Sequence, residues 1–66
     1  MNEEYKIKGW VAREDDGWLF LGKEKPRRQY HAWLGAEEYF ELDTNLFPEL
    51  TWEDEPIEVE LLIRKL

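Results

Sequence analysis

The segment IEVELLIRKL near the end of the chain alternates with period two. On an extended backbone Ile57, Val59, Leu61 and Ile63 fall on one side, and Glu58, Glu60, Leu62 and Arg64 on the other. The early segment YKIKGWVAR repeats the pattern, with Tyr5, Ile7, Gly9 and Val11 opposite Lys6, Lys8, Trp10 and Ala12. Both segments read as β-strands. After YKIKGWVAR comes EDDG, a tight-turn signal in which Gly17 supplies a positive φ. WLFLGK follows, apolar on both faces (Trp18 and Phe20 against Leu19 and Leu21), which predicts a central strand hairpinned to the first.

The rest of the pattern is less regular. KEKPRR (23–28) reads as a loop, because Pro26 cannot donate to a ladder. YHAWL (30–34) reads as a third strand. In GAEEYFELD, residues 36–42 fit one or two helical turns, but YFEL fits a short strand equally well, and the strand is preferred. DTNLFPEL reads as a turn with room for a short 3₁₀ piece.

Charge adds a pairing. Lys6 and Lys8 lie on the outer face of the first strand, Glu58 and Glu60 on that of the last. Opposite charges on neighbouring strands contribute roughly 0.2–1 kcal/mol per pair. The first and last strands are therefore expected side by side, bringing the sheet close to closure. The fold class is all-β, with at most one short helical or 3₁₀ turn: a small, strongly bent antiparallel sheet or partly open barrel of roughly four to five strands.

The stretch LFPELTWEDEP (46–56) precedes the last strand. Pro48 and Pro56 fix φ and bias the residues before them toward extended geometry. Thr51 and Asp54 have capping-box spacing, so one helical turn fits between the prolines. Trp52 and Phe47 are then expected to cover an open end of the core, with Glu53, Asp54 and Glu55 facing water.

Sixty-six residues (1–66) suffice for a single small domain. A chain of this size buries only about 60% of its unfolded surface. With no cysteine, a disulfide cannot supply the missing stability. Four Trp, three Tyr and three Phe substitute for it, and a homodimer is the other common remedy. The first residues carry no apolar stretch of signal length, and no run reaches a membrane span, so a cytoplasmic protein without membrane contact is expected. A formal net charge of −7 disfavours binding to phosphate backbones and suits a protein partner with a basic face.

The candidate chemistry is thin. With no Cys or Ser, and only Thr44 and Thr51 as aliphatic hydroxyls, nucleophilic catalysis has little to work with. His31 is the only histidine, so one chain cannot form a two-histidine metal site, and it reads as a strand histidine beside Trp33. Asp15/Asp16, Glu37/Glu38 and Glu53/Asp54/Glu55 fit no calcium-loop motif and read as solvated acids. No catalytic residue, metal or cofactor is assigned, and an enzyme is not expected.

Two stretches qualify as binding candidates. Lys23, Lys25, Arg27 and Arg28 form the one positive cluster, with Tyr30 and Trp33 near enough to stack on bases. Trp52 with Glu53, Asp54 and Glu55 forms the other. Four tryptophans are too many for so small a core, so a partly exposed aromatic face is expected.

The order WVARE-DDG-WLFLGKEKPRR, an aromatic stretch with Trp33, and then LDTNLFPELTWEDEPIEVELLI resembles a group of short uncharacterised proteins. They are encoded by gut bacteria, Bacteroides-type and Firmicutes, and by their phages and mobile elements. The likeness covers residues 9–28 and 42–63; its second block is specific and the middle is not. Trp18 stands where the shared pattern has a leucine after the turn glycine. The resemblance implies a small domain in a mobile-element setting and transfers no catalytic or binding residue. The leading expectation is a non-enzymatic module that binds a protein partner or itself. The alternatives are a single-strand nucleic-acid binder using residues 23–33, and an inhibitor that mimics nucleic acid. The mimic needs Glu37, Glu38, Glu41, Glu53, Asp54, Glu55, Glu58 and Glu60 to form one continuous face.

Overall fold

A computed structural model describes residues 4–35 and 38–66. The strands are β1 (Glu4–Arg13), β2 (Leu19–Gly22), β3 (Arg27–Gln29), β4 (Ala32–Leu34), β5 (Tyr39–Leu42) and β6 (Ile57–Arg64), and the described residues contain no helix. An antiparallel sheet runs β5-β2-β1-β6, and β3 and β4 form a separate two-stranded hairpin. The fold is all-β, with no closed barrel.

The period-two reading carries straight into the register. Val11 stands opposite both Leu21 and Ile57, Ile7 opposite Leu61, Tyr5 opposite Ile63, and Phe40 opposite Leu21. Cross-strand partners share a face of the sheet. One face therefore collects Tyr5, Ile7, Gly9 and Val11 with Leu19, Leu21, Phe40, Leu42, Ile57, Val59, Leu61 and Ile63. The hairpin turn holds as read: Gly17 has φ +99°, and its N–H donates to the Glu14 carbonyl at 2.9 Å. The first and last strands are adjacent, with Lys8 opposite Glu60. Lys6 lies opposite Leu62 and Glu58 opposite Trp10, so one of the two expected charge pairs is in register. The sheet stays open, with β5 and β6 as its edges.

The core occupies one end of this face. Val11, Leu19 and Leu21 are buried beneath Leu50, with Leu42, Ile57 and Val59 packed around them. Burying each such side chain contributes roughly 1.5–3 kcal/mol. Leu50 comes from the corner between the prolines. That corner is three successive turns, closed by Leu46 N–H to Asp43 O, Leu50 N–H to Phe47 O and Asp54 N–H to Thr51 O. The expected helical turn is absent. The Asp54 carboxylate accepts from the Thr51 backbone N–H (2.8 Å) and hydroxyl (3.1 Å) and closes a single turn, and Pro56 leaves no room to propagate a helix.

Two boundaries differ from the sequence reading. Arg27 and Arg28, expected in a loop, lie in the strand Arg27–Gln29, because Pro26 lies just before the strand and removes no ladder donor from it. Tyr30 and His31, expected in a strand, form its turn, with Tyr30 at φ 56°. YFEL is strand, as preferred. Ala36 and Glu37 lie outside the described residues.

Gly9 has a steric reason. A Cβ there would sit 2.8 Å from Leu21 Cδ1 and 3.0 Å from the Gly22 carbonyl oxygen, so only glycine lets β1 pass β2 this closely.

Candidate interaction surface

The two predicted binding stretches meet in space, but as structure rather than as an open surface. Arg28 leans over both Trp33 and Trp52, its guanidinium carbon 4.8 and 5.0 Å from the two ring centroids. Its Nη2 donates to the carbonyls of Trp52 and Asp54. The two indoles pack edge to face at 5.4 Å, and the Trp33 Nε1–H donates to the Arg13 carbonyl at 2.8 Å. Hairpin β3–β4 is thus fastened by side chains to the acidic corner and to the end of β1.

Arg13 fastens the same corner from below. Its guanidinium donates to the carbonyls of Leu50, Gly17, Thr44, Leu46 and Phe47. Hydrogen bonds from a charged donor are worth roughly 1.5–3 kcal/mol each. That is enough to hold Phe47 at φ 49°, a region costly for a bulky residue. The sequence reading missed this role, as it missed Leu50. A single arginine at a strand end does not announce carbonyls more than thirty positions away.

The remaining basic residues disperse. Lys23 pairs with Glu38 at 3.2 Å, Lys25 Nζ stands 5.3 Å above the Trp10 ring, and Arg27 is exposed opposite Leu34. Tyr30 is 88% exposed in its turn while Trp33 is packed on Trp52, so the two do not form a stacking platform. Glu53 and Glu55 are exposed, and Asp54 is engaged by Thr51. His31 is exposed, its Nδ1 3.9 Å from Asp15. Lys8 beside Glu60 interrupts the acids of the outer sheet face. Among the described residues no group of three His, Asp or Glu is placed to hold a metal ion. Nor is any helix long and apolar enough to cross a membrane.

Glu14, at the start of the turn after β1, has a displaced pKa. It is raised, first by burial and then by the charges of Asp16, Asp15 and Glu41. The unfolded chain therefore releases this proton more readily than the folded one. Its carboxylate costs stability at neutral pH, and the cost fades as pH falls toward the ordinary glutamate range.

The open surface lies elsewhere. Strand β1 has ten residues and β6 eight, but β2 and β5 have four each. β2 meets β1 only along Trp10–Arg13, so the segments before Trp10 and after Glu58 run on as a two-stranded ribbon. The apolar face continues along this ribbon without cover. Tyr5 is 67% exposed, Phe40 61%, Ile63 46%, Ile7 40% and Leu61 37%. Between them runs an apolar groove of about 270 Å³, floored by Gly9 and Leu21 and walled by Ile7, Phe40, Leu61 and Ile63.

No protein-family model, curated protein or solved structure matches this chain.

Proposed function

We propose that the protein is a non-enzymatic interaction module that binds another protein chain through the bare apolar face of its β1–β6 ribbon. The observation that carries this reading is the run of Ile7, Phe40, Leu61 and Ile63 around one groove, with Tyr5 exposed beyond it on the same face. Large contiguous exposed apolar patches mark interaction surfaces. A sheet with a long free edge beside such a patch suits addition of a partner strand. The reading moves the binding site away from Lys25, Arg28, Trp33 and Trp52, whose side chains contact one another or Trp10, and keeps Lys23 at the rim of the groove. It takes the protein to be cytoplasmic. The resemblance to small proteins of gut bacteria and their phages adds an accessory role directed at a host protein.

Photo-crosslinking tests this. A photoreactive phenylalanine analogue is placed at Phe40, and separately at exposed Glu53 as a control, in a gut-bacterial extract. Protein adducts are expected from position 40 and not from 53. Equal labelling at both positions, or none at 40, overturns the reading.

A further inference from the structure

We infer that the ribbon binds a second copy of this chain, by antiparallel pairing of β6 with β6 across a two-fold axis at Leu61. This rests on the reading that the ribbon is an interaction surface and names its occupant.

The first argument is the edge itself. The sheet ends at β6, and long, apolar edge strands are the ones that recruit another strand. The other edge, β5, has only four residues, and short edges are protected by their length. A two-stranded ribbon is at best marginally stable in water. Pairing two copies would place each ribbon inside a continuous eight-stranded sheet, the sum of two four-stranded sheets.

The second argument is charge. Along β6 the sign reverses, from Glu58 and Glu60 to Arg64. Parallel in-register pairing would set glutamate against glutamate. Antiparallel pairing centred on Leu61 sets Glu58 against Arg64 of the second copy, twice by symmetry, as an isologous interface requires. On the opposite face it sets Val59 against Ile63 and Leu61 against Leu61. All of these lie on the apolar face, so the exposed stripe becomes continuous across the axis. Arg64 remains accessible for this: its Nε lies 3.3 Å from Glu4, and its side chain is 60% exposed.

The neighbouring registers fit less well. Centring on Glu60 brings two glutamates together. Centring on Leu62 pairs Glu60 with Arg64 but sets Glu58 against Leu66, beyond the end of β6. Within its own chain Glu60 already faces Lys8, whereas Glu58 faces Trp10 and has no cation across the strand. Glu58 is thus the acid that gains from Arg64 of the second copy.

The test is sedimentation equilibrium on the full chain with charge-reversal variants. The wild type is expected to move from 8.1 kDa toward twice that mass as concentration rises. Glu58→Lys alone and Arg64→Glu alone should each raise the dissociation constant by roughly tenfold or more, since each reverses both symmetric pairs. Mixed one to one, the two variants restore Glu–Arg and Lys–Glu pairing at both ends, and dimer should return to near wild-type strength. Circular dichroism confirms that each variant stays folded, and a variant that unfolds alone but refolds on mixing supports the pairing equally. A chain that stays monomeric at all concentrations overturns the proposal, as does a dimer indifferent to Glu58. So does a dimer rescued by Glu60→Lys with Arg64→Glu and not by Glu58→Lys. Adducts of the Phe40 crosslinker with other proteins, from a monomeric chain, would sink the self-pairing and leave the interaction module standing.

Discussion

Arg27 and Arg28 are sequence neighbours with opposite fates. In a strand, successive side chains point to opposite faces. Arg27 is left exposed opposite Leu34, while Arg28 is carried onto Trp33 and Trp52. The run Lys23 to Arg28 looked like one patch because linear distance was read as spatial distance, which fails once Arg27–Gln29 is strand. The Trp33–Trp52 contact was equally hidden, since no local pattern joins residues nineteen apart on a hairpin and a turn. Arg28 acts as a flat plate with donors at its rim, and lysine supplies neither feature. Arg28→Lys should lower stability by about 1–2 kcal/mol, from a weaker cation–π contact and a lost carbonyl bond. The urea midpoint checks this. Tryptophan emission should shift to the red in the folded variant as the indoles become wetter. An unchanged midpoint and spectrum would show that the plate carries no load.

At the scale of elements the sequence was most legible where the period was cleanest. β1, β2 and β6 lie where alternation or a doubly apolar run placed them, β5 is the strand preferred there over a helical turn, and the β1–β6 neighbourhood followed from the sign of outer-face charges. What alternation does not carry is how far a neighbouring strand extends. Tyr5, Ile7, Leu61 and Ile63 have the same inward pattern as Val11 and Ile57, yet only the latter are met by β2 or Leu50. The local signal for the difference was Gly9, at the point where β1 leaves β2. Its missing side chain makes room for Leu21 and for the Gly22 carbonyl. Gly9→Ala should therefore cost about 1–3 kcal/mol, since Leu21 must shift and the β1–β2 ladder must open slightly. A thermal melt checks this. The double variant Gly9→Ala with Leu21→Ala separates the causes: if side-chain crowding dominates, the two losses will be less than additive. Full additivity would assign the effect to the backbone contact at Gly22.

The whole molecule is longer than its residue count suggests. A compact chain of this length has a radius of gyration of about 11 Å. This one has 12.8 Å, with extents of 46 × 23 × 15 Å. The excess is the ribbon, and the molecule divides along its length by how the backbone is covered. Around Val11, Leu19 and Leu21 the ladder is flanked by strands on both sides and roofed by Leu50. From Tyr5 to Lys8 and from Glu60 to Ile63, each strand has one neighbour and open faces. Opening free energy follows apolar contact and ladder protection, so the ribbon should open locally without unfolding the core. In dilute protein, hydrogen exchange at Ile7 and Leu61 is expected to be at least about tenfold faster, after intrinsic correction, than at Val11 and Leu19. Raising the concentration should then slow exchange along β6 and leave the β5 edge unchanged, because a ligand that binds one state stabilises only what it touches. Equal protection along β1 at dilution would mean that the ribbon is rigid by itself. It would then need no second copy for order, and the physical pressure toward pairing at β6 would fall away.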